Sequence, residues 1–206
     1  MHDETEQTIA TLRRQLTDKD AQLVALRQQL DELKRHDELT GVMNRRTLLE
    51  MLNAELQRSH RTGHPFCFAV IDLDHFRVIN EKFGSTVGDL VLKTVSDASI
   101  KLLRVLDRFG RLGGEEFGIV LPATWLDSGV IAMNRLRAAV GACDWDNIAP
   151  GAVVTFSAGL TTNATGDTPE KLLERAEKAL LQAKENGRNC TATLEDALPD
   201  MPPFDD

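Results

Sequence analysis

Only four residues, Gly113 to Glu116, separate two short predicted strands of this 206-residue chain. The predicted strands are residues 107–112 and 117–121. A connection as short as this one joins two strands as an antiparallel hairpin. The sequence therefore predicts a hairpin that carries Gly-Gly-Glu-Glu at its tip.

The tip of this hairpin has an unusual composition for a turn. Glu115 and Glu116 are not favoured turn residues, and their charges repel each other. The preceding glycines, Gly113 and Gly114, tolerate positive φ and allow a ligand to approach the backbone closely. A bound metal ion would explain the two glutamates. The alternative, which residues 113–117 taken alone leave open, is an acidic turn exposed to solvent.

A second pair of carboxylates lies at the end of a predicted strand. Residues 66–72 form a near-continuous apolar run, which indicates a strand buried on both faces. Asp72 and Asp74 stand at its carboxyl end, and strand alternation sends both side chains to one face. Such a pair can hold a hard cation such as Mg²⁺. The helix that follows offers N–H groups to phosphates, and capping of that helix is the alternative role of the two aspartates.

The remaining elements predict an α+β fold. One tight hairpin among alternating helices and strands indicates a mixed central sheet with helices packed on it. The predicted order is β-α-α-β-β-α-β-α-β, after a helix over 45–60. Further helices are predicted over 75–82, 87–103, 125–140 and from the cap Thr168 to Gly187, and a further strand over 152–157.

The first 36 residues contain neither Gly nor Pro and predict a coiled coil. Their apolar residues follow the a and d positions of one heptad frame for nearly four heptads, and only Lys19 interrupts the d series. A single amphipathic helix folded onto its own domain is the alternative. The predicted boundaries are 1–36 for the coiled coil, 37–196 for the globular domain and 197–206 for a disordered, Pro-rich tail. The seam consists of Ile9, Leu12, Leu16, Leu23, Leu26, Leu30 and Leu33.

Composition narrows the partners. The formal net charge of −8 argues against wrapping of DNA or RNA, although a phosphate site needs only a few local cations. No apolar run is long enough to span a membrane, and the acidic start is unlike a signal peptide. Three cysteines without Cys-x-x-Cys spacing fit a reduced, cytoplasmic protein.

The motifs also form an ordered series. It consists of Asp-Glu-Leu-Thr-Gly-Val-Met-Asn-Arg at 37–45, Asp-x-Asp-x-Phe at 72–76, Asn80, Gly88-Asp89, Gly-Gly-Glu-Glu-Phe at 113–117, Lys184 and Gly187-Arg188-Asn189. From about Asp37 to Thr193, the chain resembles the GGDEF family of diguanylate cyclases. The resemblance implies a nucleotide-cyclase or palm-like version of the α+β fold, and condensation of two GTP into cyclic di-GMP with release of two pyrophosphates.

The resemblance also implies the reacting centre. The metal ligands would be Asp72, the Leu73 carbonyl and Glu115, and Glu115 or Glu116 would assist removal of the proton from the attacking 3′-hydroxyl. The implied cofactor is Mg²⁺, with Mn²⁺ as the alternative, and two ions would polarise the α-phosphate and neutralise pyrophosphate. One domain would bind one GTP, so a symmetric product requires a homodimer, which the coiled coil would supply.

Other matching positions concern the nucleotide. Asn80 and Asp89 match residues that read guanine, and a carboxylate can accept the N1–H and N2–H pair that adenine lacks. Seen alone, Asp89 could equally be a helix-surface aspartate. Lys184 and Arg188 match triphosphate contacts, although cations there would also complement a helix dipole. The remaining implied substrate contacts are Phe76, Arg77, Gly113 and Gly114.

Arg104 and Asp107 match an Arg-x-x-Asp inhibitory site, where cyclic di-GMP binds as an intercalated dimer. Arginine can pair bidentately with guanine or with phosphate. An ion pair between positions i and i+3 is the alternative. Arg135 on the next helix matches a secondary arginine used from a second domain.

The sequence departs from the family at four positions, none of them an implied metal ligand. His75 replaces a usual Phe, Arg77 a usual Lys, Ser85 a usual His and Leu181 a frequent Tyr. The rival functions are a catalytically inactive receptor for GTP or cyclic di-GMP, a coiled-coil signalling scaffold, and an enzyme making a mixed GMP–AMP dinucleotide. The intact hairpin and Asp72 disfavour the receptor, the clustered carboxylates disfavour the scaffold, and Asp89 disfavours the mixed product.

Overall fold

The structure of the chain, a computed structural model, describes residues 2–196. Within α1, the side chains of residues 2–11, 28, 29 and 31–33 are not described. The predicted tail, residues 197–206, lies outside the described residues. The chain divides into two compact units, Met1–Arg35 and His36–Asp206.

The first unit is one helix, α1, over His2–Leu33. Its described seam residues are all more than half exposed, which suits an apolar stripe that a second helix would cover. The coiled coil and the domain boundaries stay predictions. The exposed seam residues are Leu12, Leu16, Leu23, Leu26 and Leu30.

The second unit contains a five-stranded sheet with strand order β2-β3-β1-β4-β5. The β4–β5 pair is parallel and the other pairs are antiparallel, so the predicted mixed sheet is confirmed. Its elements are α2 (Arg45–Thr62), β1 (Cys67–Leu73), α3 (Phe76–Phe83), α4 (Ser85–Leu102), β2 (Arg108–Gly113), β3 (Glu116–Leu121), α5 (Leu126–Gly141), β4 (Phe156–Thr162), α6 (Pro169–Glu185) and β5 (Thr191–Thr193).

The central strand, β1, is buried along its whole length, as its apolar run predicted. Alternate residues enter two separate hydrophobic clusters, one on each face of the sheet. Each fully buried large side chain contributes about 1.5–3 kcal/mol to folding. This packing fixes β1, and therefore the carboxylates at its end. Cys67, Ala69, Ile71 and Leu73 face one cluster, and Phe68 and Val70 face the other.

The predicted hairpin is present, with β2 shifted by one residue towards the tip and β3 longer by one residue. β2 extends to Gly113 and β3 begins at Glu116, and these two residues pair. Only Gly114 and Glu115 therefore form the turn. Gly114 has a φ of 48°, in the left-handed region that favours glycine.

The predicted strand over residues 152–157 is wrong in position. β4 begins at Phe156, which pairs with Leu73, the last residue of β1. Residues before Phe156 lie beyond the end of β1 and have no partner strand there, and Val153 is 83% exposed. The other predicted helices and strands agree with the structure to within two residues at each end. Among the described helices, none combines the length and apolar character that crossing a bilayer requires.

Candidate active site

The carboxyl end of β1 meets the β2–β3 hairpin. Asp72 stands directly opposite Glu116 in the antiparallel register of β1 and β3, and residues opposite each other project to the same face. The N–H of Leu73 donates to the carbonyl of Glu115 at 3.4 Å. The structure therefore brings the two predicted acidic motifs together at one edge of the sheet.

Burial and neighbouring charges raise the pKa of two of these carboxylates, Asp72 and Glu116. Burial raises the pKa of Asp72, although the hydrogen bond and charge of Lys184 oppose the rise, and the charge of Glu115 adds to it. Burial also raises the pKa of Glu116, and the charge of Asp72 raises it further. Because repulsion and burial both penalise the ionised carboxylates, a cation bound among them would be stabilised.

Lys184 provides one such positive charge. Its Nζ lies 3.0 Å from Oδ1 of Asp72, and both side chains are largely shielded from solvent. Lys184 belongs to the last turn of α6, a helix capped by Thr168 and begun by Pro169, as predicted. Lys184, implied by the resemblance to bind the triphosphate, thus lies beside Asp72, an implied metal ligand.

The donor set has the chemistry that Mg²⁺ prefers. Within residues 2–196, no three side chains of His, Cys, Asp or Glu are grouped closely enough to hold a metal ion by themselves. The implied set of Asp72, Glu115 and the Leu73 carbonyl contains only two side chains. Hard oxygen donors that leave positions for water and phosphate oxygens are typical of magnesium sites that bind nucleotides.

Asp74 does not form a cation-binding pair with Asp72. Its carboxylate accepts hydrogen bonds from Ser157 Oγ at 2.7 Å, from Thr155 Oγ1 at 2.8 Å and from the N–H of Asn189 at 3.0 Å. Neither aspartate caps α3, because the N-cap residue of that helix is His75 and no side-chain hydrogen bond caps it. The two carboxylates share a face and serve different groups.

The implied guanine-reading residues lie where α3 and α4 cross. A Cβ atom at Gly88 would collide with the Oδ1 atom of Asn80 and press on the Phe76 ring. Glycine therefore permits the close approach that places Asn80 beside the segment carrying Asp89, which is exposed. Phe76 itself is buried in the core, with 7% of its surface exposed.

The other implied substrate residues are at the surface. Arg77 is exposed and forms an ion pair with Glu81 at 2.8 Å. Arg188 is exposed in the turn after α6 and has a φ of 62°. Gly113 and Gly114 are exposed at the hairpin. The departures His75, Ser85 and Leu181 are likewise exposed.

The sequence analysis missed one residue at the hairpin, Arg111. Its Nε and Nη2 donate to the carbonyl of Gly114 at 2.9 and 2.7 Å, and its Nη1 lies 3.2 Å from Oδ1 of Asp37. Asp37, the first residue of the 37–45 motif, also accepts two hydrogen bonds from Thr40. A basic residue two positions before the first glycine, combined with the acidic start of that motif, was the available signal.

The implied inhibitory residues line one narrow cleft. Arg104, Asp107 and Arg135 all contribute to its walls. The N–H of Arg104 donates to Oδ2 of Asp107 at 2.7 Å, and Arg135 Nη2 donates to the Leu102 carbonyl at 3.1 Å. All three residues line this cleft within one chain, and the use of Arg135 from a second domain stays a prediction.

Residues 34–190 match the family model described as "Diguanylate cyclase, GGDEF domain". Diguanylate cyclase DgcP of Pseudomonas aeruginosa is 44% identical over 153 residues, which are 74% of this chain and 23% of that protein. Response regulator PleD of Caulobacter vibrioides is 38% identical over 171 residues, 80% of this chain and 37% of that protein. The chain thus spans less than two fifths of either relative.

Solved structures show the same architecture. The coiled coil and GGDEF domain of DgcB from Caulobacter crescentus, in complex with c-di-GMP, matches with a TM-score of 0.74 and 25% identity, covering 89% of this chain and 99% of that one. Diguanylate cyclase SiaD of Pseudomonas aeruginosa, in complex with its activator SiaC, matches with a TM-score of 0.75 and 35% identity, covering 92% and 75%.

Proposed function

The chain belongs to the GGDEF-domain family of diguanylate cyclases, and on that basis we propose that it condenses two GTP molecules into cyclic di-GMP and two pyrophosphates. The observation that carries the proposal is the meeting of Asp72 with Glu115 and Glu116 at the tip of the hairpin, beside Lys184. An inactive receptor or a scaffold would not require an intact group of acidic side chains with a cation beside it. The cytoplasm, which supplies GTP, is the proposed compartment.

The acidic side chains would act on two groups of the substrate. Asp72, Glu115 and the Leu73 carbonyl would hold Mg²⁺, or Mn²⁺ as the alternative. When bound there, the metal supplies positive charge that polarises the α-phosphate and neutralises the leaving pyrophosphate. Glu115 or Glu116 would accept the proton of the attacking 3′-hydroxyl, either directly or through water.

The remaining residues would position one GTP. Lys184 and Arg188 would bind the triphosphate, and Gly113 and Gly114 would let it approach the backbone closely. Asp89 would accept the N1–H and N2–H of guanine, with Asn80 beside it. Phe76 and Arg77 complete the implied substrate contacts. Phe76 would support the guanine-binding residues from the core, and Arg77 would lie at the edge of the site.

The symmetric product requires two such sites facing each other, each 3′-hydroxyl attacking the α-phosphate of the other GTP. We propose a homodimer through α1, whose described seam leucines are exposed and which would raise the effective concentration of the two domains. We also propose that cyclic di-GMP inhibits the enzyme at Arg104, Asp107 and Arg135, which share one cleft and can bind guanine or phosphate oxygens.

The test incubates the full chain and Mg²⁺ with GTP, ATP, inosine triphosphate or a GTP–ATP mixture, and resolves the products by ion-exchange chromatography. We expect cyclic di-GMP from GTP and no cyclic dinucleotide from ATP. Inosine lacks the N2 amino group, so its triphosphate loses a hydrogen bond to the Asp89 carboxylate. One such bond contributes about 1.5–3 kcal/mol, and we expect kcat/KM to fall by about 10- to 150-fold.

Asp89→Ala is the matched variant, and it should reduce kcat/KM for GTP towards the value for inosine triphosphate. If Asp89→Ala leaves the ratio of kcat/KM for GTP to kcat/KM for inosine triphosphate unchanged, Asp89 does not read the base. GTP binding without turnover by the folded wild type would identify a receptor, and a mixed dinucleotide would identify a different cyclase.

A further inference from the structure

The carboxylate of Asp74 joins three parts of the chain that are distant in sequence. Asp74 is 3% exposed and lies just beyond β1. Of its partners, Thr155 immediately precedes β4, Ser157 lies within β4, and the third is the backbone N–H of Asn189, after α6. A buried carboxylate with three donors is a strong and directional anchor, because each bond is assisted by its charge.

The segment that Asp74 holds is a strained turn. Gly187, Arg188 and Asn189 have consecutive φ values of 100°, 62° and 45°. Arg188 and Asn189 are not glycine, and such backbone conformations cost of order 1–3 kcal/mol each unless surrounding contacts fix them. The conformation of this turn therefore depends on its partners.

The partners hold the backbone on both sides of Arg188. The N–H of Arg188 donates to the Ala183 carbonyl at 3.1 Å, which ties the turn to the end of α6. Asn189 donates its N–H to Asp74, and its carbonyl accepts a hydrogen bond from the guanidinium of Arg137 on α5. The exposed side chain of Arg188 is thus carried on a backbone fixed from β1, α5 and α6.

We propose that Asp74 is a positioning residue, which holds the 187–189 turn so that Arg188 is directed at the triphosphate of GTP. The proposal rests on the proposed function, because it takes Arg188 as a triphosphate contact. Loss of the Asp74 carboxylate would leave the Asn189 N–H, the buried Ser157 hydroxyl and the half-buried Thr155 hydroxyl without their acceptor, and the strained turn would relax. Arg188 would then bind the nucleotide less well.

The Asp74→Asn variant distinguishes a positioning role of Asp74 from metal binding by Asp74. In Asp74→Asn, the amide oxygen can accept from Asn189 and Thr155, and the amide nitrogen can donate to Ser157, whose hydroxyl rotates to accept. Asp74→Asn should therefore retain the turn, whereas Asp74→Ala should lose it. A metal ligand would be impaired by both changes, because the amide removes the negative charge.

The experiment compares Asp74→Ala, Asp74→Asn, Arg188→Ala and the double variant Asp74→Ala/Arg188→Ala in the full chain. KM and kcat for GTP are measured at saturating Mg²⁺, and GTP affinity is measured by calorimetry. We expect Asp74→Ala to raise KM and the dissociation constant about tenfold with kcat little changed, the signature of lost uniform binding. Asp74→Asn should stay within about twofold of the wild type.

The double variant tests whether Asp74 acts through Arg188. If it does, Asp74→Ala should add less than about twofold to the dissociation constant once Arg188 is already alanine. An undiminished effect in that background would overturn the proposal, as would an Asp74→Asn variant that is as weak as the alanine. Equal GTP affinities of the wild type and Asp74→Ala would also overturn it, whether or not the chain makes cyclic di-GMP.

Two further variants guard against a general loss of structure. Asp167 is a second buried carboxylate, paired with Arg175 on α6 and remote in sequence from the turn, so Asp167→Ala should lower stability without changing GTP affinity. A matching loss of GTP affinity in Asp167→Ala would contradict a specific role for Asp74. If Asp74→Ala does not fold, Arg137→Met releases the same turn from its other side, and it should weaken GTP binding only while Arg188 is present.

Discussion

Nζ of Lys184, in the last turn of α6, lies 3.0 Å from Oδ1 of Asp72, at the end of β1. Lys184 is the implied triphosphate ligand and Asp72 an implied metal ligand, so the ammonium and a cation would compete for one carboxylate. The same ammonium is attractive to the phosphates that arrive with the metal. These opposite effects on two ligands can be measured separately.

Lys184→Met should therefore have opposite effects on the two ligands. Without nucleotide, Mg²⁺ should bind more tightly, because Asp72 loses its competing cation. With saturating Mg²⁺, KM for GTP should rise by about tenfold, because one phosphate contact is lost. Thermal-shift titration with Mg²⁺ and steady-state kinetics measure the two effects.

Lys178→Met is the matched control for this change. Lys178 lies on the same helix and pairs with Glu174 at 2.7 Å, on the exposed surface. Lys178→Met should change neither the affinity for Mg²⁺ nor the KM for GTP. A Lys184→Met variant in which Mg²⁺ and GTP affinities move in the same direction would contradict the competing roles.

Arg104→Ala should relieve product inhibition without slowing the initial reaction. Arg104 lines the cleft away from the acidic turn, and an arginine contact to guanine or phosphate is worth about 1.5–3 kcal/mol. The inhibition constant for cyclic di-GMP should rise by at least about tenfold. Arg135→Ala should raise the inhibition constant in the same direction, because Arg135 lines the same cleft, and Lys101→Ala serves as the control. An unmoved inhibition constant in Arg104→Ala would refute the site.

Asp37→Asn should destabilise the domain by about 1 kcal/mol at neutral pH. Burial alone would raise the pKa of Asp37, but hydrogen bonds from Thr40 and the pairing with Arg111 bring it below its ordinary value. A carboxyl whose pKa is lower in the folded state stabilises above its unfolded pKa, and this stabilisation is lost as the pH falls through its folded pKa.

The difference in unfolding free energy between the wild type and Asp37→Asn should therefore be full at pH 7 and shrink below about pH 4. Urea unfolding at a series of pH values measures it. A difference that stays constant down to the acid limit of folding would show that the charge of Asp37 is not responsible.

Changing Leu16, Leu23 and Leu30 to Gln should weaken the proposed homodimer. The three side chains are each more than half exposed on α1 and occupy its heptad seam. Specific activity should then depend steeply on protein concentration, because the two sites must meet in solution. Gln at Arg14 and Asp18, which lie off the seam, is the control. Specific activity that is unchanged on dilution of the leucine variant would contradict a dimer held by this helix.

The sequence predicted those features of the fold that depend on neighbouring residues. The hairpin followed from the four residues between its strands, and the buried β1 followed from its apolar run. The position of β4 did not follow, because it is set by where β1 ends, at the pairing of Leu73 with Phe156. Residues 152–155 have strand-like composition but no strand opposite them.

The contacts of the candidate site likewise include some that the sequence implied and others that it did not. The approach of Asp72, Glu115 and Lys184 was implied by their places in family motifs. The partners of Asp74 are 81, 83 and 115 positions away, and Arg111 is 74 positions from Asp37. Contacts at such separations depend on the tertiary structure and leave no periodic signal in the sequence.

The most direct measurement is cyclic di-GMP formation from GTP and Mg²⁺ by the wild type and by Glu115→Gln, compared at equal concentration. The wild type should form one cyclic di-GMP for every two pyrophosphates released, and chelation of the metal should stop the reaction. Glu115→Gln should melt like the wild type and form no product, because the amide neither ligates Mg²⁺ as a carboxylate does nor accepts the proton. A folded, dimeric wild type that forms no cyclic di-GMP, or a Glu115→Gln variant that turns over at the wild-type rate, would contradict the proposed chemistry.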